Sequence, residues 1–421
     1  VLLHFIAPLL ISCSFQFSIL IPEGFTLNPT CSSKLQPTCV HTLTWESVFL
    51  TILAPRVDAP IQSARFRLKA MPKTAPRIPD IDLENWMGNL PENIKEKSLT
   101  WLSIPGSHNS GTCDLSSEAG NDAFCLNIPM FARPWATCQR FPITYQLEHG
   151  IRYLDFRLDF DSTKDRFFIT HFLRSKSSPK TCLESVRIFL EEHPKEVVII
   201  DFQHFYHFSD SLKDQFLAGV LDLFESMVCP VPNEDQLLTL AYMQANGFQV
   251  VLINRYKACK SCKTPKNLFF SPRDFPTYWP DTDNATEVID KAKMACRIQH
   301  SFGYITQLVL TLQGAKNFVY LDLRNFYKSR MYGKAMTWLH NITGGSQPNI
   351  IITDFIDFHN FSFPRAVIKL NYLKEGESLS DLETSHVNVH VESKSLSPVR
   401  IEHEQPRLRW IRMRPIVKGG N

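Results

Sequence analysis

"IRYLDFRLDF", residues 151–160, is a run of aromatic and branched side chains that sets an acid and a base two positions apart. Successive side chains of a strand point to opposite faces, so Asp155 and Arg157 share one face. Runs of the same kind recur as "LTWLSI" (99–104), "FFITHF" (167–172), "EVVIIDF" (196–202), "FQVVLIN" (248–254), "FGYITQLVLTL" (302–312) and "NIIITDF" (349–355). Such composition marks strands. Several of the runs are almost continuously apolar, as parallel strands covered by helices must be. Between them, "KTCLESVRIFLEEHP" (180–194) and "SDSLKDQFLAGVLDLFESMV" (209–228) repeat apolar residues at intervals of three and four, the helical spacing. Strands alternating with helices in this way predict an α/β fold, either a (β/α) barrel or a doubly wound sheet.

The rest of the 421 residues divides around that region. Hydrophobic residues make up 44% and charged ones 21%, enough for a sizeable core. Lysine and arginine number 45 against 42 acids, a net charge of +3, so no global field argues for a nucleic-acid partner and anions must be met locally. Residues 1–81 read as an apolar run followed by a Pro-rich linker, 82–375 as the barrel, and 376–421 as a disordered, charged and Ser-rich tail. The run at 1–21 has about the length that crosses a bilayer but shows no basic residues before it. The expectation is therefore a cytoplasmic protein in peripheral contact with membranes, or a secreted or anchored one if that run is a true signal. Eleven cysteines show no dense disulfide spacing; "CKSC" (259–262) lacks the second pair that a structural zinc site requires. No protein partner can be inferred.

Polar residues collect where these strands end. The first run leads into "PGSHN", which sets His108 and Asn109 just beyond it; the second carries Asp155 and Arg157, the third ends at His171, and the last delivers Asp354. Gln203 and Arg255 follow two further strands. The C-terminal strand ends of a (β/α) barrel build its active site. Any one of these residues has a structural explanation, but the set on one barrel face points to chemistry.

The ordered segments "WMGNLPENI", "LSIPGSHNSGT", "HGIRYLDFRLDF", "FFITHFL", "FLEEHPKEVVIIDFQHFY" and "NIIITDF" resemble the phosphatidylinositol-specific phospholipase C X-domain-containing proteins, over residues 82 to about 372. The resemblance implies a single distorted TIM-type barrel and cleavage of phosphatidylinositol to diacylglycerol and a cyclic inositol phosphate. It makes His108 the general base on the inositol 2-hydroxyl and His171 the acid for the leaving diacylglycerol oxygen, roles an imidazole can fill near neutrality. Asp354 would orient His108 and stabilise its imidazolium, and Arg157 would bind a nonbridging phosphate oxygen.

Asp155 belongs to the same catalytic set, with Asn109, Gln203 and Arg255 as substrate-binding candidates. The calcium-dependent branch of the superfamily holds its ion with an Asn and three acids. Here Arg157 and Gln203 stand where two of those acids are expected, so no metal and no other cofactor is expected. Asn109 departs from the Asp often found after the base in bacterial and X-domain-containing members, a change that lowers activity if that acid serves His171. Two alternatives stand beside the phospholipase: a catalytically weak phosphoinositide-binding or scaffolding protein, and another barrel phosphodiesterase.

Overall fold

A computed structural model describes residues 80–122, 129–233, 236–256, 263–295 and 302–384. These fall in a compact unit spanning Pro76–Thr384. A second unit, Val1–Ala75 with Ser385–Asn421, is described only as six short backbone strands. Leu2–Phe5 pairs with Phe17–Leu20, and Val391–Ser395, Ala64–Leu68, Ser47–Leu53 and Thr38–Thr44 form an antiparallel sheet in that order. Apart from these strands, the expected apolar run and the linker up to residue 79 lie outside the described residues, as does the "CKSC" stretch; of the expected disordered tail, 376–384 are described, and there Leu379–Thr384 form a helix that buries Leu379 in the core.

Ten strands build the larger unit: β1 (Ile104–Ser107), β2 (Leu115–Ala119), β3 (Tyr153–Asp161), β4 (Arg166–His171), β5 (Leu173–Ser175), β6 (Val198–Tyr206), β7 (Val250–Asn254), β8 (Thr277–Tyr278), β9 (Ile305–Leu308) and β10 (Ile350–Thr353). Seven of them run parallel in the order β8-β9-β10-β1-β3-β6-β7. Phe270 adds one parallel bridge beside Ile253 on β7, an eighth position reduced to a single residue. The result is a distorted TIM-type barrel. Helices such as Pro179–Glu192, Asp210–Phe224 and Ala285–Ala295 cover its outside.

Alternation along each strand sorts the core. On β6, Val198, Ile200 and Phe202 pack outward with the helices, while Ile199 joins Tyr153, Val251, Ile253, Ile305, Ile350 and Ile352 in the apolar layer on the opposite faces of the strands. Two and four residues beyond Tyr153, that inner face of β3 presents Asp155 and Arg157; beyond Ile199, that of β6 presents Asp201 and Gln203. The polar site therefore sits on an apolar floor.

The segment 83–90 belongs to the same cluster through Leu83, Trp86, Met87 and Leu90. Trp86 Nε1 donates to the Gly150 carbonyl, and the fully buried Arg152 pairs with Glu196 at 2.9 Å while donating to the carbonyls of Leu83, Glu84, Leu147 and Ile151.

"FFITHF" corrects one expectation. Its strand, β4, is not a stave of the parallel barrel but the antiparallel partner of the far half of β3, Leu158 facing Ile169 and Asp161 facing Arg166. The reason is local. Asp161 accepts hydrogen bonds from the backbone and hydroxyl of Thr163, and Asp165 takes a left-handed φ of 48°, which closes a hairpin too short for a crossover. β5 and β2 extend this ribbon antiparallel.

Candidate active site

Gly106 brings β1 close to its neighbours. A Cβ there would lie 2.8 Å from both Ile352 Cγ2 and Tyr153 Cδ1, so only glycine lets β1 fit between β10 and β3. His108 follows the strand and its backbone N–H continues the ladder to the Thr353 carbonyl at 3.0 Å. Asn109 then adopts φ 45°, a left-handed conformation that asparagine tolerates better than most residues. Its backbone N–H donates to Asp155 Oδ2 at 3.0 Å, fixing the turn against β3.

Five predicted residues meet in one place. His108 Nδ1 lies 2.7 Å from Asp354 Oδ1, and its Nε2 faces Arg157 Nη2 at 3.2 Å and Asn109 Nδ2 at 3.1 Å. Both of those groups are obligate donors. The ring therefore carries its proton on Nδ1, toward the carboxylate, and offers the Nε2 lone pair to the pocket. Asp155 Oδ2 stands 4.0 Å from the same Nε2.

The His171 ring centroid is 6.3 Å from that of His108, edge to face. Its Nδ1 donates to the Ala136 carbonyl at 2.7 Å, which leaves Nε2 as its reactive atom. Burial, then the Arg157 charge, hold this imidazole well below the usual histidine range, opposed by the Ala136 hydrogen bond.

Three buried polar atoms here have no partner: Asn109 Oδ1, Asp155 Oδ1 and Arg157 Nε. Orphaned atoms gathered at one site are costly in an empty pocket: Arg157 Nε suits an anionic oxygen, and the two acceptor oxygens suit hydroxyl donors.

Gln203 and Arg255 stand apart from this group. Arg255 forks onto Asp201 at 2.7–3.0 Å and donates to the Phe275 carbonyl; Gln203 Nε2 donates to Tyr153 Oη and to Asp201 Oδ2. The Arg255–Asp201 pair is largely buried.

Sequence reasoning missed Cys138 and Gln139. Cys138 Sγ sits 3.5 Å from both Asn109 Nδ2 and His171 Nδ1; burial and then the Asp354 charge push its thiol upward, so it stays protonated. Gln139 Nε2 donates to the carbonyls of His108 and Thr353, bracing the turn. No motif in "WATCQRF" announces either role, because each depends on contacts with residues distant in sequence. Among the described residues, His108, Cys138 and Asp354 form the one group of three with metal-binding donors in reach of each other.

Residues 124–256 match the phosphatidylinositol-specific phospholipase C, X domain. PI-PLC X domain-containing protein 3 of Homo sapiens is 29% identical over 322 residues, covering 71% of this chain and 97% of that protein. PI-PLC X domain-containing protein 2 of Mus musculus is 26% identical over 73% of this chain and 92% of its own length.

Among solved structures, the phosphatidylinositol-specific phospholipase C of Listeria monocytogenes superposes with a TM-score of 0.53 at 19% identity, covering 69% of this chain and 99% of that one. A Staphylococcus aureus counterpart reaches 0.51 at 16% identity over 70% and 98%. These likenesses establish a phosphatidylinositol phospholipase-like barrel. Residues 124–256, which supply Arg157 and His171, thus carry the match to the X domain, and the chain is similar to PI-PLC X domain-containing proteins over nearly their whole length.

Proposed function

We propose that the chain is a metal-independent phosphatidylinositol-specific phospholipase C, acting on lipid at a membrane surface from peripheral contact. The observation that carries this reading is the pair of histidines facing each other across 6.3 Å with the Arg157 guanidinium against one of them. His108 Nε2 takes the proton of the inositol 2-hydroxyl as that oxygen bonds to phosphorus. Asp354 stabilises the imidazolium that forms. Arg157 binds a nonbridging oxygen and meets the charge that builds there. The bond from phosphorus to the glycerol oxygen breaks, and His171 Nε2 gives that oxygen its proton.

His171 must be protonated to do this, against burial and the Arg157 charge. A bound phosphodiester anion opposes the Arg157 field and favours the imidazolium. In the slower second step His171 takes a proton from water as it attacks the cyclic phosphodiester, and His108 returns one to the departing 2-oxygen.

A second reading, a catalytically weak lipid-binding protein, is favoured by the partners of His171, which hydrogen-bonds a carbonyl and a thiol rather than a carboxylate. One experiment separates the two. The full chain is given phosphatidylinositol vesicles with a chelator present, and diacylglycerol and cyclic inositol phosphate are measured. Release that disappears in His108→Ala supports the enzyme. Vesicle binding retained in that variant, with no release by either protein, supports the binding role, and strict dependence on a divalent metal returns the reading to another barrel phosphodiesterase.

A further inference from the structure

Lipid cleavage leaves one capacity of the site unused. A donor atom from each of His108, Cys138 and Asp354 lies within 4.8 Å of the other two, and their exposures are 8%, 0% and 1%. Imidazole nitrogen, thiolate sulfur and carboxylate oxygen are the ligands zinc takes, usually four at a time. The fourth is at hand. The Asn109 carboxamide, 2% exposed, rests its nitrogen 3.5 Å from Cys138 Sγ and 3.1 Å from His108 Nε2, while its own oxygen is buried without a partner. A half-turn of that amide exchanges the two atoms and presents the orphaned oxygen to the cluster.

We propose that a thiophilic divalent cation, zinc or its chemical equivalent, binds among His108, Cys138, Asp354 and the Asn109 carboxamide and switches the site off. Charge favours it. Asp155 and Asp354 against Arg157 leave the pocket one net negative charge; binding releases the thiol proton to solvent, adds a second, and the dication neutralises both. The bound cation takes a His108 lone pair and engages Asp354, so the base can no longer accept the 2-hydroxyl proton. The inhibition rests on the cleavage reading above, whereas the binding does not.

The test titrates the reduced, metal-free full chain with Co²⁺ alone. A thiolate-to-cobalt charge-transfer band in the near ultraviolet is expected, displaced by Zn²⁺ and absent from Cys138→Ser. Asp354→Asn should bind at least about tenfold more weakly, which keeps the test decisive if the cysteine variant folds poorly. Because the chain has eleven cysteines, the difference between wild type and variant is what counts. An identical spectrum in both, or no band at all, overturns the site. Where the wild type cleaves phosphatidylinositol, Zn²⁺ should suppress it, and Cys138→Ser should need at least about tenfold more Zn²⁺ for the same fractional loss of its own metal-free rate. Binding without suppression overturns the switch alone, and a chain without turnover still has its site decided by the cobalt spectrum.

Discussion

The guanidinium of Arg157 comes within 3.2 Å of Nε2 on His108, from a neighbouring strand and 49 positions along the chain. A guanidinium N–H held against the lone pair of a base occupies that lone pair until an anion draws the guanidinium away. Substrate binding thus frees the base it is about to use. Arg157→Lys keeps the charge but loses the planar fork, and kcat/KM on phosphatidylinositol should fall roughly 10²–10³-fold, measured in initial-rate assays. An unchanged value would remove Arg157 from phosphate recognition.

Asp354 holds the proton of His108 on Nδ1 across 2.7 Å. Asp354→Asn offers a neutral amide instead, and kcat should drop by roughly 10²–10⁴ while KM changes little. A loss seen only in KM would assign Asp354 to binding.

His171 is held in its neutral form by burial and by Arg157. The optimum of kcat/KM is therefore expected on the acid side of ~6.5, the ordinary histidine value. Asn109→Asp puts a carboxylate beside the Cys138 thiol that His171 touches, and should move the alkaline limb of the profile upward. A profile identical in both proteins would separate residue 109 from the proton supply of His171.

The same neutrality has a stability consequence. The unfolded chain binds a proton on this histidine near ~6.5 while the folded chain resists it, so the contribution is intact above that pH and declines as pH falls below it. His171→Gln should lose less stability on acidification, by about 2 kcal/mol between about pH 8 and about pH 5, in urea titrations run at both pH values.

Arg152 and Glu196 form a pair with 0% and 1% side-chain exposure. Arg152→Ala leaves a buried carboxylate unpaired and should cost about 3–5 kcal/mol, read as a lower urea midpoint. His108 and Arg157 are not partners of this pair, so the folded variant should retain its affinity for lipid vesicles.

The fold was largely legible because aromatic and branched runs specify strands directly. "IRYLDFRLDF" is β3 with Asp155 and Arg157 on one face, as alternation requires. What misled was direction and extent. "LTWLSI" reads as a strand, yet Leu99–Trp101 is a helical turn capped by Ser98, and the strand starts at Ile104. "FFITHF" has strand composition whether it runs parallel or antiparallel. The two-residue β8 is too short to leave a pattern. The site was legible where polar residues interrupt apolar strand ends, which found His108, Asp155, Arg157, His171 and Asp354. Cys138 escaped because a lone cysteine in a loop carries no period, and its place between Asn109 and His171 is set by the docking of distant segments.

The closure of the barrel sets when the chemistry can exist. His108 stands at the end of β1 and Asp354 at the end of β10, strands paired in parallel with Gly106 opposite Ile352. A ribosome delivers the first some 246 residues before the second. A nascent or prematurely ended chain that stops between His171 and β10 carries both histidines and Arg157 without the carboxylate that positions His108. A barrel left unfinished is thus left with an incomplete site.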